Sequence, residues 1–127
     1  MGIETPALEA SVATMLDVLA WEMELAAARC MMLDSTIGKM VGSIAEGERD
    51  AFTEAIHTVD LLSQQLTSLS AFTRKMSGSV GHETSAVVDG ALADITLGAL
   101  ADRMSTALGG QERGINEREE AGDLDLF

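Results

Sequence analysis

The chain has 127 residues, 46% of them hydrophobic, which suits one domain with a core of its own or one shared with a partner and excludes disorder throughout. Eight Lys plus Arg stand against 21 Asp plus Glu, a formal charge of −13 that repels phosphate backbones and anionic membrane surfaces and argues against nucleic-acid or membrane binding. The single Cys30 has no internal disulfide partner, no basic segment followed by an apolar run opens the chain, and no apolar stretch reaches the roughly 18 residues of a membrane span, so the sequence reads as a soluble cytoplasmic protein.

Ala, Leu, Met and Glu dominate, aromatic residues make up 3%, and Pro6 is the single proline, a vocabulary of helices. From Leu8 the apolar positions run Val12, Met15, Leu19, Met23, Ala26, Cys30, Leu33, Ile37, Met40 and Ile44, and ten steps over 36 residues give the helical period of 3.6. This predicts a first long helix over about 6–45, with Thr5 as N-cap, Pro6 in the first turn and Gly47 at the stop. The cluster Asp34, Ser35, Thr36 marks a place for a kink or a second cap. A second stripe, Phe52, Ile56, Val59, Leu62, Leu66, Leu69 and Met76, predicts a helix over about 48–77, antiparallel to the first across a short turn. A weaker third helix is expected over about 84–108, carrying Val88, Leu92, Ile95, Leu100 and Met104 and closed by Gly109 and Gly110. Residues 1–110 thus read as an all-α hairpin domain. A hairpin leaves its flanks open, and pairing two of them into a four-helix bundle predicts a homodimer with Leu, Met and Ile from both chains in one core. Residues 111–127, with six acidic and two basic side chains, read as a flexible acidic tail.

At 100° per residue, Thr53, His57, Asp60, Gln64, Thr67, Ala71 and Lys75 gather opposite the apolar stripe of the second helix. Asp60 and Gln64, spaced i, i+4, set a carboxylate and a primary amide one turn apart on an exposed ridge. His57 and Thr67 flank the pair, and the short side chains of Thr67 and Ala71 leave room for another protein, so this ridge is the expected partner surface. The tail ends Leu124, Asp125, Leu126, Phe127, apolar anchors on an acidic linker suited to a second docking contact.

The run Asp60-Leu61-Leu62-Ser63-Gln64, mid-helix in a long hairpin of a small acidic chain, resembles the Asp-x-x-x-Gln motif of the chemotaxis phosphatase CheZ and of the smaller CheT proteins, which fit better in length. In that family the motif stands on a hairpin that dimerises into a four-helix bundle. The resemblance implies dephosphorylation of a response-regulator receiver domain, with Gln64 orienting the attacking water and Asp60 pairing with a receiver lysine to fix docking. Mg²⁺ would belong to the receiver, and this chain needs no cofactor of its own. The Phe-terminated tail looks like the receiver-binding tail of CheZ and also like the receptor peptides that dock the methyltransferase CheR, which leaves a noncatalytic adaptor as the alternative. A histidine phosphotransfer domain using His57 is disfavoured: such domains follow the histidine with Lys and Gly at positions three and four, where Asp60 and Leu61 stand here. His57 and His82 are too few and too separated for a metal site.

Overall fold

A computed structural model describes residues 7–110. Thr5 and Pro6, and the tail with Leu124, Asp125, Leu126 and Phe127, lie outside the described residues. The order is β1 (Glu9–Ser11), α1 (Val12–Met40), two short 3-10 turns (Val41–Ser43 and Glu46–Glu48), α2 (Arg49–Ser79), β2 (Ser85–Val87), α3 (Asp89–Ala93) and α4 (Gly98–Ala107). The fold is helical, with α1 and α2 packed against each other as the two long elements and one short two-stranded sheet. Among the described residues no helix is long and apolar enough to cross a membrane.

Two compact units are present, Leu19–Met76 and a second made of the segments up to Val18 and from Ser77 onward. In Leu19–Met76 the two helices meet through small side chains. Ala20 and Ala27 of α1 are 0% and 2% exposed, and Ser63 and Ser70 of α2 are 5% and 2% exposed. The Ser70 hydroxyl lies 3.1 Å from the Ala20 carbonyl and 3.0 Å from Glu24 Oε1, sharing its proton between them, while the Ser63 hydroxyl reaches the Ala27 carbonyl at 3.5 Å. Seven-residue spacing on both helices keeps these contacts on one seam as the pair winds around itself. Small residues there let the helices come close enough for a serine hydroxyl to reach across to a main-chain carbonyl.

This seam corrects the packing expected from the apolar stripes. Leu19, Leu33 and Met40 of α1 are 42%, 46% and 51% exposed, and Leu62, Leu69 and Met76 of α2 are 45%, 52% and 41% exposed. The large apolar side chains lie beside the seam, because a seam of Ala and Ser excludes them. Helix α1 runs unbroken through Asp34, Ser35 and Thr36, where the Thr36 hydroxyl donates back to the Met32 carbonyl at 3.0 Å and no second cap forms. It ends at Met40, and Gly47 falls within the second 3-10 turn, with Arg49 Nε donating to the Ile44 carbonyl across the loop.

The other unit holds the larger departures. Glu9–Ser11 is a strand, so α1 begins at Val12, with the Ser11 hydroxyl accepting from the Thr14 N–H at 3.0 Å as its N-cap. Its partner is Ser85–Val87, antiparallel, with Glu9 opposite Val87 and Ser11 opposite Ser85. The expected third helix over 84–108 is therefore a strand and two shorter helices. Thr84 to Val88 is rich in β-branched residues, and the strand main chain pairs with β1 instead of coiling. The chain turns again between α3 and α4. Gly109 and Gly110 do close the last helix: Gly109 has φ +93°, and the N–H groups of Gly109 and Gly110 donate to the carbonyls of Thr106 and Ser105, a Schellman stop. Ala10, Val88, Leu92 and Leu108 form the core of this unit, with Leu8, Met15, Val18, Ile95 and Met104 packed against it. The Leu8 N–H donates to Asp89 Oδ2 at 2.7 Å, and Ser77 donates to the Ala13 carbonyl at 3.0 Å.

Candidate functional site

The contacts across the seam orient the rest of α2. Ile56, Ser63 and Ser70 point along the seam and Val59 and Leu66 lie beside it, so Asp60 and Thr67 form the next row on one side and His57, Gln64 and Ala71 the row beyond. All five of those residues are exposed. The row that carries Leu62, Leu69 and Met76 lies on the other side of the seam. Asp60 and Gln64 thus stand on one side of the seam, where Trp21 and Met31 of α1 are also 60% and 58% exposed, and the Leu62, Leu69 and Met76 row stands on the other.

The Glu24–Arg74 ion pair fixes which side of α1 shares the polar face. Arg74 follows Asp60 and Thr67 at seven-residue steps, and its guanidinium donates to both Glu24 carboxylate oxygens at 2.7 and 2.9 Å. Stepping back along α2 and forward along α1 by seven places Met31 across from Thr67 and Gly38 across from Asp60. A Cβ added at Gly38 would meet nothing within 4 Å, so the ground beside Asp60 is open. The Arg74 guanidinium, then the Ser70 hydroxyl, hold the Glu24 carboxyl below its usual range.

Gln64 Nε2 donates to Asp60 Oδ2 at 2.9 Å, so the two candidate residues are joined as well as adjacent. This bond holds the amide by its nitrogen and leaves the Gln64 carbonyl oxygen with acceptor capacity. On the outer side, Gln64 lines a shallow open depression with Leu61, Gln65, Ser68 and Leu69. Gln65, which sequence spacing places on the flank, thus borders the same ground. His57 and Thr67 stand exposed on the same face, where the periodicity places them. Among the described residues no three His, Cys, Asp or Glu side chains gather as a metal site.

Residues 8–127 match the family described as a domain of unknown function, DUF8776. The chain belongs to the DUF8776 family. No curated protein and no solved structure matches it. The DUF8776 match takes in both long helices and the tail, so Asp60 and Gln64 lie within the family's own domain. The seven-residue run Ala13, Ala20, Ala27 against Ser63, Ser70, Ser77 is the feature of this DUF8776 chain that a search for large apolar side chains overlooks, although the spacing stands in the sequence.

Proposed function

We propose that this protein promotes dephosphorylation of a response-regulator receiver domain, in the manner of the CheZ and CheT proteins that its Asp-x-x-x-Gln motif resembles. The observation that carries the reading is the 2.9 Å bond from Gln64 Nε2 to Asp60 Oδ2 on an exposed helix face. An aspartyl phosphate hydrolyses when a water attacks in line, and an amide carbonyl that accepts a hydrogen bond from that water fixes its approach. Asp60, by engaging the amide nitrogen, orients the Gln64 side chain; a carboxylate on the same face also attracts a lysine of the receiver and sets the register of docking. Mg²⁺ is supplied by the receiver, where it neutralises the phosphoryl oxygens. The protein acts in the cytoplasm, where receivers are found.

The test is phosphate release from a phosphorylated chemotaxis receiver domain, with and without this protein. Faster release that Gln64→Ala abolishes supports the reading. Binding without faster release favours a noncatalytic adaptor, with Leu124, Asp125, Leu126 and Phe127 as its docking end toward a receiver or a CheR-type methyltransferase. Acid-labile label on His57 would point to phosphotransfer.

A further inference from the structure

We infer that the receiver served by the Asp60–Gln64 pair also seats itself on α1, with Trp21 and Met31 as the apolar anchors of its docking surface. The inference rests on the function proposed above for the identity of that partner. Trp21 follows Ala20 of the seam by one residue and Met31 follows Ala27 by four, which turns both toward the side marked by the Glu24–Arg74 pair, the side of Asp60 and Gln64. Trp21 is the chain's single tryptophan and is 60% exposed, and Met31 is 58% exposed. Packing within the hairpin explains neither, since its seam is made of Ala and Ser. An indole held in water is a large apolar area that a partner can cover, and Trp leads the residues whose truncation costs a protein interface most. Met supplies a flexible side chain that adapts to the surface it meets.

The ground around the anchors is suited to close approach. Ala28 on α1 and Thr67 and Ala71 on α2 are exposed and short, and a shallow cleft of about 220 Å³ beside Trp21, lined by Glu24, Leu25 and Ala28, has room for an aliphatic side chain of the partner. On the same side Glu24 and Arg74 neutralise each other, whereas Asp60 bonds to a neutral amide and keeps its charge for a partner's lysine. A second copy would bring like carboxylates together there, in chains of formal charge −13 each, so the occupant is a protein that presents an ammonium group beside apolar side chains. From Trp21 to Gly38 the strip runs about 25 Å along α1, and two helices make it roughly 20 Å wide. It thus offers on the order of 500 Å², and an interface of about 1,000 Å² in all has the size of a transient encounter. A partner that must leave once its phosphate is gone needs that weakness. Met31 lies across from Thr67, one helical turn from Gln64, so covering the anchors brings the partner over the amide.

Initial rates of phosphate release, followed against the concentration of a phosphorylated chemotaxis receiver domain, test the surface on the full chain. Trp21→Ala should raise the half-saturating receiver concentration by about tenfold or more and Met31→Ala by a smaller factor, with the rate at saturation within about twofold of the unaltered chain. Trp21→Phe should recover most of the loss, and Leu19→Ala, exposed on the other side of the seam, should change neither quantity. Both anchors are exposed, so helicity and the urea midpoint should stay as they are, which separates docking from folding. The single tryptophan also reports binding without catalysis: a chain labelled with 5-fluorotryptophan has one fluorine resonance, which should shift when the receiver is added. Faster release whose half-saturating concentration neither Trp21→Ala nor Met31→Ala changes overturns the docking surface and keeps the proposed function. A fluorine shift without faster release overturns the phosphatase and keeps the surface. Neither release nor shift overturns both.

Discussion

In the proposed reaction Gln64 and Asp60 differ in what each would contribute, and substitutions separate them. Gln64→Ala should leave receiver binding intact and remove the accelerated phosphate release, because an amide that orients water acts mainly in the transition state. Asp60→Ala should lower release and weaken binding together, since it frees the amide and removes a docking charge. Both residues are exposed, so neither change should move the unfolding free energy by more than about 0.5 kcal/mol, which a urea titration of each variant checks. Ala20 is the opposite case. It is 0% exposed on the seam, where the Ser70 hydroxyl meets its carbonyl, and Ala20→Leu should destabilise the chain by about 1–3 kcal/mol by forcing the helices apart. The same titration reads that loss, while Leu69→Ala, at a half-exposed position, should cost a single hairpin less.

Along the hairpin the seam changes character. Ala13, Ala20 and Ala27 lead, at the next seven-residue step, to Asp34, whose Oδ1 is buried without a hydrogen-bond partner. A polar atom in that position costs stability, so Asp34→Ala should raise the unfolding free energy by about 1 kcal/mol and continue the alanine seam toward the loop. Thermal melting of that variant should shift upward; a downward shift would show that the carboxylate supports the fold. The Glu24–Arg74 pair sits nearer the other end of the Leu19–Met76 unit. With the Glu24 carboxyl held below its usual range, the unfolded chain takes up that proton first as pH falls. The pair thus favours the folded state above the ordinary Glu value of about 4.3, and its contribution fades as pH drops through the lowered folded value. Glu24→Gln should cost little near pH 7, because the pair is part-exposed, and should flatten the acid limb of a melting curve followed against pH.

For the molecule as a whole, the homodimer expected from the sequence carries a thermodynamic signature: its melting temperature should rise with protein concentration, because mass action favours the folded dimer. Differential scanning over a hundredfold range of concentration reads that rise, and one melting temperature throughout would show a monomer. The second unit makes a different expectation testable: Val88 and Leu92 anchor its small core, so Leu92→Ala should cost about 2–5 kcal/mol by opening a cavity there.

Much of this protein is legible from residue spacing. The periods of the two long stripes place α2 to within two residues and α1 to within six, the Gly109–Gly110 stop follows from the conformations glycine permits, and the i, i+4 relation of Asp60 and Gln64 puts them on one exposed ridge, because these are local properties of a helix. Other features required the fold. Glu9–Ser11 and Ser85–Val87 are three residues each, too short to carry a periodic signal, and each is a strand only because the other, some 75 residues away, satisfies its main-chain groups. Apolar periodicity marks which side chains avoid water but not which neighbour they meet. Ala20 and Ser70 take the inside of the hairpin because small side chains permit close approach, and the bulkier Leu33 and Leu69 are left on its face.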